Sequence, residues 1–200
     1  MRGGTDVGAA WLEVQRAQML VEDAEATGDE DLPAALELLD RADSLLRAAA
    51  AADPGWPEPH YRRASLEVAR SFRTAAIPSQ KEPGAVRRAM SHLERALAVD
   101  PDHVAALELR GILRFDLAES AEDLPPEEVE RLRSLAESDL RRAVELDAPR
   151  AQAWWGLSRL LRRKGSFAEA KQAARRAQAA EAFLEVPVGG LGQLCHTSLE

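Results

Sequence analysis

The chain has 200 residues, 46% of them apolar and 30% charged, which is enough apolar side chain to bury a core and excludes wholesale disorder. Only 4% is aromatic, against 38 Ala, 23 Arg and 3 Lys, a helix-forming alphabet poor in the β-branched and aromatic residues that sheets use. A net charge of -8 argues against a protein that coats nucleic acid or anionic membrane through bulk electrostatics.

Apolar periodicity and boundary residues predict helices over 8–26, 34–52, 57–74, 84–99, 103–120, 126–147, 150–164 and 167–180. Pro33, Pro57, Pro83 and Pro125-Pro126 stand where helices begin, because a first-turn residue has no N–H bond to lose. Ser166 with Glu169 forms a capping box for the last helix. The longer connections are 27–32, 77–84 and 120–126. No apolar core follows the opening Met1-Arg2-Gly3-Gly4, and nowhere does a run of about 18 uncharged apolar residues occur. With a single cysteine, Cys195, and no Cys/His set at zinc-ligand spacing, the expectation is a soluble, cytoplasmic protein without disulfide or zinc.

The sequence repeats along these elements. Asp53, Asp100 and Asp147 recur every 47 residues (100 − 53 and 147 − 100). Ala49, Ala96 and Ala143 keep the same register, as do Leu46, Leu93 and Leu140, and Ala42, Ala89 and Ala136. Arg16-Ala17, Arg63-Ala64 and Arg110-Gly111 form a further column. Helix pairs that cannot bury their apolar faces alone stack on their neighbours, with alanine allowing close approach and leucine filling the seam.

From Ala151 to Glu181 the pattern resembles a tetratricopeptide repeat: Trp154 and Leu157 match the first-helix signature, Gly165 the turn, and Ala170 and Ala177 the small residues of the second helix. The earlier units are similar to the same repeat with about 13 extra residues (47 − 34). The resemblance implies an all-α, right-handed superhelical solenoid of four helix pairs over residues 1–181, three lengthened and one standard. Residues 182–200 are then a partial further repeat or C-terminal tail. Leu107 to Gly111, and Phe183-Leu184-Glu185 leading to His196-Thr197-Ser198-Leu199-Glu200, are similar to tetratricopeptide regions that follow serine/threonine kinase domains in high-GC bacteria. No kinase element is present in these residues.

No phosphate loop of the GxxxxGK[ST] type and no HExxH motif occurs, and His60, His92, His103 and His196 share no ligand spacing. Gly189-Gly190-Leu191-Gly192 follows no predicted strand, and adjacent Cys195 and His196 point apart on a helix. No catalytic, cofactor-binding or metal residue is therefore assigned, and the chain is not expected to be an enzyme.

The resemblance implies a concave groove lined by first helices. In register these surfaces carry Val14, Gln18 and Val21, then Tyr61, Ser65 and Val68, then Glu108, Ile112 and Phe115, then Trp155, Arg159 and Arg162. Tyr61, Phe115, Trp155, Arg159, Arg162 and Arg163 are the candidate partner-binding residues, with packing at the helix seams as the alternative for the aromatics and a solvated face for the arginines. The lysines and asparagines of the chaperone-binding subclass are missing. Residues 150–180 carry eight basic residues and one acid, whereas 1–50 carry four basic and eleven acidic. This polarity favours a protein or peptide partner that is acidic at the basic end. A self-assembly module that pairs acidic N-terminal with basic C-terminal ends is the other reading. For Arg16, Arg63 and Arg110, where the family places leucine, two outcomes are open: rotation outward, or partial burial with a carboxylate.

Overall fold

Helices end where the aspartates recur. In a computed structural model, the structure describes residues 4–27, 31–75, 84–120 and 124–184, and among them are eight helices and no strand. They are α1 (Gly4–Ala26), α2 (Leu32–Ala52), α3 (Glu58–Ala75), α4 (Ala85–Val99), α5 (Val104–Ser120), α6 (Pro126–Leu146), α7 (Ala151–Arg163) and α8 (Phe167–Leu184). Asp53, Asp100 and Asp147 follow α2, α4 and α6 with backbone angles of φ -135, -131 and -141° and ψ 88, 98 and 89°. Each donates its N–H to the carbonyl of Ala49, Ala96 or Ala143. Asp53 Oδ1 then accepts the Gly55 N–H at 3.1 Å and Asp100 Oδ1 the Asp102 N–H at 3.0 Å, a turn that aspartate builds with its own side chain.

The alanine and leucine columns form the inner stripe of the second helices. Ala42, Ala89, Ala136, Ala49, Ala96 and Ala143 are fully buried, as are Leu46, Leu93 and Leu140. Small residues at one end of each turn and leucine between them let adjacent helices pack closely without voids. Within consecutive pairs α1 packs on α2, α3 on α4 and α7 on α8, while α2 meets α3 and α6 meets α7 between pairs.

Local chemistry sets the ends. Asp31 caps α2 by accepting the Ala34 N–H at 3.3 Å, with a proline in the first turn. Glu127 and Glu128 occupy the first turn of α6, where carboxylates complement the helix dipole. His103 Nδ1 accepts the Ala106 N–H at 3.1 Å at the start of α5. Between α7 and α8 the Ser166 N–H reaches Leu161 O and the Gly165 N–H reaches Arg162 O. Gly165 adopts φ 81° there, the left-handed geometry that a residue with Cβ resists.

The chain divides into two compact units, Met1–Leu113 and Arg114–Glu200, with the division inside α5. In the first, Ala10, Val14, Ala17, Leu39, Leu46 and Leu66 belong to one buried cluster. In the second, Phe115, Ala136 and Leu160 pack together from α5, α6 and α7.

Most boundaries fall within two residues of expectation, and two differ by more. The first helix begins at Gly4 rather than at residue 8, and α8 continues through residue 184 rather than ending at 180. Phe183 and Leu184 thus belong to α8, and residues 185–200 lie outside the described residues. The glycine-rich stretch, Cys195 and His196 lie outside the described residues. Among those described, no helix is long and apolar enough to cross a membrane, and no group of His, Cys, Asp or Glu is arranged to hold a metal ion.

Candidate binding site

Four of the six candidate residues converge in the second unit. Phe115, Arg159, Arg162 and Arg163, together with Glu119, line a surface pocket of about 310 Å³ between α5 and α7. Positions 159, 162 and 163 share one face of α7 because three and four residues separate neighbours on a helix. Phe115 is buried, so it forms the floor rather than a projecting contact. The Arg159 guanidinium lies over its ring, 5.0 Å from the centroid.

The arginines are held differently. Arg159 donates to Asp116 at 2.9 Å while about half of its side chain stays exposed. Arg163 donates to Glu119, which also accepts from Arg133 at 2.7 Å. Burial would raise the Glu119 carboxyl, but the hydrogen bonds from Arg133 and Arg163 outweigh it and hold it below the ordinary carboxylate range. Arg162 is exposed and has no ion-pair partner among the described residues. Counting Arg133 and its second partner Glu130, four guanidinium groups face three carboxylates here, so the site retains positive charge at neutral pH. The sequence reading missed Asp116, Glu119 and Arg133. Their signal is the spacing of Asp116 and Glu119, which runs along α5 in step with Arg159 and Arg163 on α7.

Trp155, also on α7, donates from Nε1 to Glu181 Oε1 at 2.7 Å, fixing the indole against α8 while leaving the ring partly exposed. Its neighbour Trp154 donates to Ala148 O at 2.7 Å and carries the Arg176 guanidinium 4.7 Å from its ring.

Tyr61 belongs to the first unit. It lines a groove of about 270 Å³ between α1 and α3 with Gln18, Val21, Glu22, Ser65 and Leu66 among its walls. Val14, expected on this surface, is instead in the core. Beside the groove Tyr61 leans on His103 with ring centroids 5.2 Å apart. His103 uses Nδ1 as an acceptor, so its proton is on Nε2, which faces Glu58 at 3.2 Å. Burial would raise Glu58, yet His103 and Arg62 hold it lower than usual.

The arginine column realises both of its open alternatives. Arg16 is exposed and, among the described residues, reaches Glu13 on its own helix at 3.4 Å. Arg63 is mostly buried in the α2–α3 seam and donates to Asp43 at 2.7 Å. In α7 the same column holds Leu157, which is buried.

These paired, stacked helices define an all-α helical-repeat protein. The crystal structure of TTC0263, a thermophilic TPR protein in Thermus thermophilus, is similar at a TM-score of 0.57 and 19% identity, with 83% of this chain and 75% of that chain covered. A crystal structure of MamA matches at a TM-score of 0.48 and 16% identity over 83% of this chain and 78% of that one. No protein-family profile and no curated protein matches the sequence. The fold is that of tetratricopeptide-repeat proteins.

Proposed function

We propose that the chain is a protein-interaction scaffold that binds an acidic peptide segment, with the α5–α7 pocket receiving a carboxylate side chain. One observation carries this reading: Arg162 is an exposed cation without an ion-pair partner among the described residues, beside Arg159 and Arg163 in a concave site. An incoming carboxylate gains a guanidinium that it need not take from an existing pair, and the apolar floor at Phe115 lowers the local dielectric. Arg159 and Arg163 supply further field while staying oriented by Asp116 and Glu119. The indole face of Trp155 supplies apolar contact in this reading. Tyr61, in the first unit, supplies apolar contact in the separate α1–α3 groove, whose Glu22 and Glu25 outnumber Arg62 and disfavour a carboxylate there.

The test is fluorescence anisotropy with labelled peptides of equal length, one rich in Asp and Glu, one neutral and one basic. The acidic peptide should bind best and weaken with salt, as exposed charge pairs do. Arg162→Glu should weaken it about tenfold, roughly 1.4 kcal/mol, with helical circular dichroism unchanged. Equal binding of all three peptides, or an acidic peptide indifferent to Arg162→Glu, would remove the pocket from the proposal.

A further inference from the structure

The first helix of a pair lays one stripe of side chains on the second helix of the preceding pair. In the first unit the α3 stripe includes Pro59, Arg63, Leu66 and Arg70. Arg63 bonds to Asp43 of α2 at 2.7 Å and Arg70 to Asp40 at 2.6 Å. In the second unit the α7 stripe of Ala153, Leu157, Leu160 and Lys164 serves α6, with Lys164 bonded to Glu137 at 2.7 Å. The repeat register assigns Leu12, Arg16, Met19 and Asp23 of α1 to the same stripe.

On α1 none of the described residues covers that stripe. Met19 is 63% exposed, whereas Leu66, Leu113 and Leu160 in its column are 1%, 8% and 0% exposed. Leu12 is 50% exposed, while Ala106 and Ala153 in its column are fully buried. Next to the stripe, Arg16, Met19, Leu20 and Asp23 face Arg41 and Leu45 of α2 across a groove of about 540 Å³. A seam surface with apolar centre and charged flanks is thus presented to solvent, where exposed apolar area disfavours the free state.

The charge pattern selects the occupant. Arg16 and Asp23 lie at equal distances in sequence on either side of the midpoint between Met19 and Leu20. Two helices of opposite direction meeting at that midpoint bring each arginine to the other's aspartate. We infer that a second copy of this chain covers the stripe, the two α1 helices packing antiparallel across a two-fold axis at Met19 and Leu20. Arg16 then pairs with the partner's Asp23, and Asp23 with the partner's Arg16. The two Met19 side chains lie side by side at the axis, filling the grooves beside them. Such an interface is self-complementary and closes at two subunits. End-to-end stacking through α8 fits less well. Ala170 and Ala177 follow Ala136 and Ala143 by 34 residues (170 − 136), so Lys171 occupies the column of Glu137 and Asp43. In the repeat register that lysine would face Arg16, a like-charge contact that opposes pairing.

Sedimentation of the full chain tests the inference. The parent should reach twice its 21.8 kDa as concentration rises, and Met19→Asp should return it to the single-chain mass. Arg16→Glu and Asp23→Arg should each be monomeric alone, since each variant sets like charges against each other at both ends. An equimolar mixture of the two should recover the dimer, because every cross-axis pair is again opposite in sign. Lys171→Glu should leave the dimer intact. All four positions are exposed, so circular dichroism should show unchanged helix content. A parent that stays monomeric, a dimer that persists in both single charge variants, or a mixture that fails to recover would overturn the two-fold pairing. Assemblies lost on Lys171→Glu would overturn it in favour of end-to-end contact.

Discussion

The α2–α3 seam of the first unit and the α6–α7 seam of the second occupy equivalent places in the repeat, yet they are built from different chemistry. In the first, Arg63 enters the seam with Asp43, and both side chains are about 85% buried (15% and 14% exposed). Burial would raise Asp43, but bonds from Arg63 and Arg47 hold it below its ordinary value. In the second, Leu157 takes the arginine's column, Leu160 is fully buried, and charge retreats to the edge, where Lys164 meets Glu137. The alanine columns fix how closely the helices approach, and that spacing accommodates either a leucine or an arginine bonded to a carboxylate. An apolar seam depends on volume, whereas a charged seam depends on both partners being present.

The largest difference should come from cutting into the apolar seam. Leu160→Ala removes a fully buried side chain that packs with Phe115 and Ala136, and should cost about 3 kcal/mol in chemical denaturation. A loss below about 1 kcal/mol would mean that the seam collapses freely around the cavity. Asp43→Ala should cost less, about 2 kcal/mol, because it strands Arg63 in a seam that retains some access to water. The double variant Asp43→Leu/Arg63→Leu, which imports the chemistry of the second unit, should recover most of that loss. If the single and double variants are equally unstable, packing volume rather than an unpaired charge governs the first seam.

The repeat was legible because backbone geometry constrains it directly. A helix stop at each Asp, an alanine one turn earlier and a buried leucine between the alanine positions can only be placed one way, and the structure uses each column for a single purpose. Gly165 was legible for the same reason, since its turn needs positive φ. The candidate pocket was legible only in part. Spacing places Arg159, Arg162 and Arg163 on one face of α7, but whether an arginine is free depends on carboxylates brought by another helix. Asp116 and Glu119 occupy two of the three guanidinium groups and leave Arg162. Phe115 shows the same limit: its place in the register does not reveal that its ring lies below the surface. The arginine column admitted two environments because a long side chain can follow solvent or a buried carboxylate from the same backbone position.

A pH titration sharpens the contrast by the smallest expected effect. His92 on α4 is buried in the column that holds Leu45 in α2, and its Nδ1 has no hydrogen-bond partner. Burial is the main cause that pushes it down to about 4, helped by Arg63, Arg95 and His60 and opposed by Asp43. His60 is lowered in the same direction, again chiefly by burial. A histidine with a depressed folded pKa is held neutral by the fold, so its contribution is fully present above about pH 6.5 and is lost as pH falls toward 4. The full shift corresponds to about 3 kcal/mol, and partial access of water should bring the observed loss nearer 2 kcal/mol. Asp43 and Glu58 act in the opposite order: their folded values are lowered, so their contributions are present above the ordinary carboxylate range and are lost only from the acid end of this window downward. His92→Leu should therefore keep the stability of the parent at pH 7 and flatten its decline between pH 6.5 and 4, leaving a smaller slope from His60. A variant with the parent's slope would show that His92 accepts a proton without leaving the seam, and that the charged repeat holds enough water to solvate it.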